Sequence, residues 1–520
     1  MGLVLGIDLG TSGVKCIAID HEARVVARAS AGYPLLLPRP GWIEQNPEDW
    51  WKATCQAVKA CLQQIPDAQA NVEAVGLSGH MSGLVLLDRT GKPVRPCILL
   101  ADSRSMEETS WLATHLGDEI ARRTGNVPLD AFLAPKLLWV KRHEPAAYNG
   151  ASWVLFPKDY IRYRLTGRFA TEPTDAGNSL FYRYEAADPA GSWDEEMVSW
   201  MGLNLRLLPP LVPTTAVAGK VTREAAESTG LPAGTPVAAG GGDMACSAVG
   251  TGATVPGVVA VTIGTAAQVV TVVPGPSAAG RGQVTFHPHA VPGAMYSMGS
   301  ILTGGLGMSW LAGVASSVRQ PSPRPAAEPA VTPADLGDFA AQVPPGSDGL
   351  LCLPFLVGRG SPDFNARVRG AWIGLSGSKD FRHLARSVME GVAFNLKDSL
   401  RVFEAMGIRV SRIHIGGGGA ASPVWRQILA DVFNHPVHPL QAADASALGA
   451  ALVAGVGAGI FPNVQAAAER AVHVGPPVMP QPESVSVYKT LYDVYLQAYE
   501  ALKPVFAALG NILVEGKMSR

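Results

Sequence analysis

Apolar residues fall into short runs closed by glycine-rich or polar turns, separated by stretches of helical period. Residues 3–7 form the first run, which stops at Asp8-Leu9-Gly10-Thr11-Ser12-Gly13; 14–19 form the second, ending at Asp20-His21. Two such runs split by a glycine-rich turn predict a β-hairpin. Asn46-Pro47-Glu48 carries an Asx cap, then proline and an acid, and predicts a helix to about Gln64. Residues 72–77 predict a strand leading into Ser78-Gly79-His80-Met81-Ser82-Gly83, with another strand at 84–87. Further on, 258–263 reads as a strand ending at Gly264-Thr265, and the strand with its Gly-Thr turn echoes residues 3–11 as a diverged repeat. Residues 380–406 predict a helix, with Leu384, Val388, Val392, Leu396 and Leu400 in one row and Gly407 as its stop. A strand at 412–415 enters Gly416-Gly417-Gly418-Gly419, and a helix follows at 424–433. Strands alternating with helices through both halves predict an α/β architecture. Residues 318–345 are rich in Pro and Ala without a clear apolar period, and are expected to be a mobile surface excursion.

The 520 residues allow two to four domains, and 47% apolar against 16% charged residues is ample material for buried cores. Lys and Arg number 42 and Asp and Glu 43, which removes the electrostatic case for a nucleic-acid or anionic-membrane partner. The six cysteines show no C-x-x-C spacing, so neither a disulfide framework nor structural zinc is expected, and a reducing cytoplasm fits. The first ten residues lack a basic segment and place Asp8 where a secretion signal needs apolar residues. No run is long and apolar enough to be read as a membrane span.

Three glycine-rich turns follow apolar strands: Asp8 to Gly13, Gly264-Thr265, and Gly416 to Gly419. Glycine lets backbone N–H groups approach phosphate oxygens, and Thr or Ser hydroxyls add donors. Each turn alone is also ordinary chain reversal; three together point to a nucleotide. No Gly-Lys pair is followed by Ser or Thr, which excludes a P-loop. Gly416-x-Gly418-x-x-Ala421 satisfies a relaxed dinucleotide fingerprint, but the next strand-like run, 436–440, ends at Gln441 and not at an acid for the ribose. Asp8, at a strand end beside glycines, suits a magnesium-directing carboxylate or a turn-forming Asp. Asp243 lies in a small, apolar surrounding that would disfavour its charge and favour a base role; an Asx turn is the plainer alternative. His80, Met81 and Ser82 lie just past a strand end, where α/β sheets bind ligands. His287 and His289 lack a third ligand at metal spacing and are expected to be structural; Trp42, Trp50 and Trp51 could stack a sugar, but such a cluster more often packs a helix onto a sheet.

These residues add up to a known pattern. GIDLGTSGVK (6–15), GLSGHMSG (76–83), APKLLWVKRHEP (134–145), PKDYIRYRLTGRFA (157–170), GGGDMA (240–245), IGTA (263–266), GAWIGL (370–375) with HLARSVMEG (383–391), and IGGGGAASPVWRQILAD (415–431) resemble the FGGY carbohydrate kinases. Within them the xylulokinases are the most similar group. The resemblance implies two ribonuclease-H-like, actin/hexokinase-type domains with an interdomain cleft: 1–247 mainly for sugar and 248–505 mainly for ATP. It implies Asp243 as catalytic base, Asp8 as the magnesium-directing acid, and Thr11, Ser12, Lys15, Gly264, Thr265, Gly417 and Gly418 around ATP. It further implies Met81 and Ser82, with His80 and Asp102, around the sugar. The activity implied is ATP- and Mg2+-dependent phosphorylation of a sugar hydroxyl, most closely that of D-xylulose. Another ketose or polyol is the alternative, or, in a different class, a non-catalytic actin-like ATP-binding module. Partners beyond the sugar are not implied, and a homodimer stays open. The chain departs from the xylulokinase pattern on the sugar side. His80-Met81-Ser82-Gly83 stands for Gln-Met-His-Gly, Asp243-Met244 for Asp-Asn, Leu100-Ala101-Asp102 for Trp-Asn-Asp, and Gly358-Arg359-Gly360-Ser361-Pro362 for Gly-Glu-Arg-x-Pro. Ser82 and Met244 are therefore expected to change the sugar preference.

Overall fold

The computed structural model describes residues 2–318, 331–441 and 443–518. Two mixed sheets organise it. In the first, the strands run in the order Val217–Lys220, Pro236–Ala238, Val72–Gly79, Leu3–Leu9, Gly13–Ile19, Val25–Gly32, and Gly241–Gly242 also pairs with Val72–Gly79. In the second the order is Thr285–Pro288, Met295–Ile301, Ala267–Val273, Val258–Ile263, Arg412–Gly416, Val437–Pro439. The repeat expected from the turns is visible in the pairing. Leu3–Leu9 lies parallel to Val72–Gly79 and antiparallel to Gly13–Ile19; Val258–Ile263 lies parallel to Arg412–Gly416 and antiparallel to Ala267–Val273.

Helices cover the first sheet on both faces, which is why Leu3–Leu9 is buried almost throughout and does not alternate. Pro47–Leu62 lies on one face, started by Asn46, whose side chain accepts from the Glu48 N–H at 3.1 Å. Trp50 is buried in the core beneath it, as a packing residue. Trp42 meets Trp139 edge-on and covers the Arg104 guanidinium at 3.8 Å. The other face receives Ala445–Gly457, which joins Asp243–Gly250 in a shared core with Val4, Ile17, Ala74, Ala260 and Val270. This core belongs to both sheets. The expected domain division between 247 and 248 falls inside the helix Asp243–Gly250.

Glycine makes the helices meet. A Cβ on Gly6 would stand 1.9 Å from the Ala447 carbonyl oxygen, one on Gly76 1.9 Å from that of Ala450, and one on Gly449 1.9 Å from that of Cys246. The contacts are backbone against backbone, and no side chain fits between them.

The excursion expected over 318–345 needs correction in part. Residues 319–330 lie outside the described residues, but Pro333–Ala341 is a helix. Thr332 and Asp335 cap it reciprocally and Leu336 and Ala340 are buried, so a capping box and two apolar contacts suffice. His287 and His289 are buried; His287 stacks on Tyr296 at 5.1 Å and His289 bonds the Ala253 carbonyl at 3.0 Å. Among the described residues no His, Cys, Asp and Glu cluster could hold a metal by itself, all six cysteines are free, and no helix is long and apolar enough to cross a membrane.

Candidate active site

Three parallel strand ends build the site. Leu3–Leu9, Val72–Gly79 and Gly241–Gly242 run side by side in one direction, with Asp8 opposite Ser78 and Gly242 opposite Gly79. Asp8, the turn at 80–82 and Asp243 therefore emerge along one sheet edge, where open α/β sheets bind ligands. The Ser78 hydroxyl donates to Asp8 Oδ1 at 2.7 Å. Burial holds the Asp8 carboxyl above the usual range, against the opposing pulls of Ser78 and Lys15. Lys15 sits directly opposite Asp8 in the hairpin and pairs with Asp444 at 2.9 Å.

Thr11 and Ser12 are exposed at the hairpin tip, closed by a Gly10 N–H to Gly13 carbonyl bond of 3.1 Å. The tip is braced from below. Gln45 donates to the Thr11 carbonyl at 2.7 Å, Trp50 donates to Gln45 at 3.0 Å, and the Tyr33 hydroxyl donates to the Gly10 carbonyl. His80 belongs to this brace. Its ring is buried edge-on to Trp50 at 5.3 Å, and burial lowers its pKa to about 4, so it is neutral.

Asp243 opens the helix Asp243–Gly250, and its carboxylate accepts from the Met244 N–H at 2.8 Å. Burial, followed by the charge of Asp8, pushes its pKa up to about 7, against the N–H groups of Met244 and Met81. A carboxylate poised near neutrality is suited to general-base work. Tyr296, from the second sheet, closes the same corner with its hydroxyl 4.0 Å from the Met81 sulfur. Beneath Gly242 lies a buried charge cluster. Lys158 reaches Asp159 at 2.7 Å, Asp175 at 3.0 Å and Glu172 at 3.2 Å, and Arg162 reaches Asp159 at 2.8 Å. Thr174, tied to Glu172, accepts from the Gly242 N–H at 2.8 Å and fixes the approach to Asp243.

The remaining sugar-side residues are held by protein contacts of their own. Asp102 is 1% exposed, and its two oxygens accept from Arg104 Nε at 2.9 Å, Arg104 Nη2 at 2.7 Å, and the N–H groups of Ile43 and Arg104. Its acceptor capacity is filled by protein. Ser82 is 1% exposed in a left-handed turn at φ 61°, and Met244 packs against the interdomain core. The Ser82 side chain is closed off from solvent, whereas Met244 is only partly covered. Arg359 turns inward to Asp398 at 2.7 Å beneath Tyr499.

The second sheet supplies a cavity of about 550 Å³ lined by Gly264, Thr265, Met308, Met389, Gly418 and Trp425. Gly264 and Thr265 form the tip of the second hairpin, and their carbonyls accept from Gly305 at 2.7 Å and Leu306 at 3.0 Å, at the start of the helix Leu306–Val318. Gly417, at φ 81°, packs against Ile263, and Gly418 has open space around it. Apolar side walls with glycine-rich polar ends suit a flat base joined to phosphates.

The model for the N-terminal domain of the FGGY family of carbohydrate kinases matches residues 3–250, and that for the C-terminal domain matches 259–458. The chain belongs to the FGGY family of carbohydrate kinases. Among FGGY relatives it is 34% identical to the xylulose kinase of Bacillus subtilis over 510 residues, 98% of this chain and 99% of that one. It is 30% identical to the gluconokinase of the same organism, over 98% of each chain. The crystal structure of xylulose kinase from Rhodospirillum rubrum superposes with a TM-score of 0.85 at 32% identity, covering 97% of this chain and 100% of that one. The two-domain FGGY architecture expected from the motifs is the one observed.

The FGGY reading of the sequence missed Ser78, Gln45, Tyr296 and Asp444. Ser78 could have been found from its place in the strand-end motif. The others reach the site from distant parts of the chain and leave no local signal.

Proposed function

We propose that this enzyme phosphorylates a sugar hydroxyl with MgATP, and that D-xylulose is its substrate. The observation that carries this is Asp243: a carboxylate poised near pH 7, on the same sheet edge as the phosphate-type hairpin holding Asp8. The sugar hydroxyl gives its proton to Asp243 as its oxygen bonds to the γ-phosphorus, and the bond to the ADP oxygen breaks. Catalysis is then positioning and electrostatics. The donor set fits magnesium: Asp8 keeps Oδ2 beyond its bond to Ser78, and this metal takes one or two carboxylates with water and phosphate oxygens. When bound, it would neutralise charge on the transferred phosphoryl group.

The cavity below Gly264 and Thr265 would take adenosine, with Gly417 and Gly418 at its edge. Met81 and its N–H, beside Asp243 and Tyr296, would line the sugar end. A cytoplasmic setting accords with six free cysteines. The name of the Bacillus subtilis relative favours a ketopentose, and burial of Ser82 weakens the case for that position disfavouring it. The test is ADP formation with MgATP across D-xylulose, other ketoses, polyols and gluconate. Turnover that does not depend on any of them would overturn the kinase reading and favour an actin-like module. A preference for gluconate or a polyol would overturn only the sugar.

A further inference from the structure

Asp444 stands immediately before the helix Ala445–Gly457, in the position where an Asp or Asn normally caps. Asn46, Asp194, Asp380 and Asn463 all do so at the starts of their helices. Asp444 does not. It makes no side-chain cap bond, and its backbone is left-handed at φ 63° and ψ 44°. Its carboxylate is turned away from its own helix and pairs with Lys15 at 2.9 Å. Lys15 is the cross-strand partner of Asp8 in the first hairpin, so the pair ties the start of a helix late in the chain to the phosphate-type hairpin. Two residues on, Ser446 donates to the backbone carbonyl of Asp243 at 3.2 Å. One turn, 444–446, thus holds both the Lys15 side chain and the backbone of Asp243.

Fold stability does not explain this arrangement. The Lys15 side chain is 54% exposed, and exposed ion pairs add little. A left-handed non-glycine residue is strained, and a forgone cap is a further loss. Strain kept at a site of this kind signals a use for the group it presents.

We propose that Asp444 is a positioning residue that holds the Lys15 ammonium beside Asp8, where it meets the phosphoryl group in flight. The proposal rests on the kinase reading above. Lys15 has four rotatable carbons, and without a partner its charge would sample many positions around the hairpin tip. Held by Asp444, it starts in one of them. The carboxylate is itself a negative charge near the phosphates, so it works against binding of MgATP while favouring reaction of what is bound. That opposition separates this role from a structural one.

The decisive variant is Asp444→Gly, which removes the carboxylate and suits the left-handed backbone, so it should melt no lower than wild type. We expect kcat to fall about tenfold while KM for ATP stays level or drops, with sugar binding by calorimetry unchanged. Asp444→Glu keeps the charge and should recover most of kcat. The Lys15→Met and Asp444→Gly double variant should be no slower than Lys15→Met alone, because the two residues act as one unit. A kcat for Asp444→Gly within about twofold of wild type, or losses that multiply in the double variant, would overturn the proposal. If wild type binds MgATP but phosphorylates no sugar, the kinase reading fails separately. MgATP affinity by calorimetry then decides for Asp444: tighter binding by Asp444→Gly keeps its opposition to the phosphates, and equal or weaker binding removes it.

Discussion

Asp8 and Ser78 stand opposite each other on adjacent parallel strands, and the Ser78 hydroxyl holds one oxygen of the carboxylate at 2.7 Å. Burial works against ionisation of Asp8, and this bond is the largest influence opposing it. In Ser78→Ala the carboxyl loses that support and becomes harder to ionise. The magnesium concentration giving half-maximal turnover should rise about two- to tenfold, from loss of roughly one net hydrogen bond of 0.5–1.5 kcal/mol. A magnesium titration of turnover at fixed ATP and sugar checks this. Unchanged demand would take Ser78 out of the site.

Asp243→Asn keeps the size of the side chain and removes the basic oxygen. Turnover should fall by ~10²–10⁴ with sugar affinity little changed. The same variant makes a stability prediction of definite sign. With the Asp243 pKa raised to about 7, the folded protein holds a proton that the unfolded chain gives up near pH 4. Stability from this group is full below that lower value and is lost as pH rises through about 7. Asp243→Asn should therefore raise Tm at pH 8 and leave it nearly unchanged at pH 4.

The pH profile follows from the same group. The base must be ionised, so kcat/KM for the sugar should climb with pH and level off above about 7. Part of the upward shift comes from the charge of Asp8. In Asp8→Asn whatever activity remains should show its inflection at lower pH, with sugar binding intact by calorimetry. An inflection that stays in place would mean that the titrating group is not Asp243.

The buried cluster sets three carboxylates, Asp159, Glu172 and Asp175, against two cations, Lys158 and Arg162. One negative charge is in excess, and burial together with its acidic neighbours raises Asp175 well above the carboxylate range. Asp175 is thus the member expected to carry the proton. Asp175→Asn, a neutral replacement for a neutral group, should change unfolding free energy by less than about 1 kcal/mol. Lys158→Met strands the acids and should cost ~3–5 kcal/mol. Denaturant melts of the two variants give the comparison, and equal losses would refute the assignment of the proton.

Local chemistry was legible in the sequence. The hairpins came from apolar runs split by glycine, and the helix after Asn46 came from its cap. Both are decided by neighbours a few residues apart. The helix Pro333–Ala341 was missed although Thr332 and Asp335 announce it, because proline and alanine around them mask the apolar period. At the site, Asp8 and Asp243 could be singled out from strand ends and glycines. That Asp102 would be saturated by Arg104, or that Ser82 would be covered, could not be read from spacing, since each depends on how the chain folds against it. Asp444 is the extreme case: its partner lies at the other end of the chain.

The glycine crossing has a consequence for synthesis. The face of the first sheet that carries Val4, Ile17 and Ala74 is covered by the helix Ala445–Gly457, which leaves the ribosome long after the hairpin Leu3–Ile19. At roughly 5–20 residues per second, the hairpin holding Asp8 waits about twenty seconds to a minute and a half for its cover. Throughout that interval an apolar sheet face is bare, with glycines at Gly6 and Gly76 that offer neighbouring chains unusually close backbone approach. A fragment that stops near residue 250 would carry this exposed face permanently. The same close fit that unites the two sheets makes the nascent chain depend on protection from its neighbours until that helix has been made.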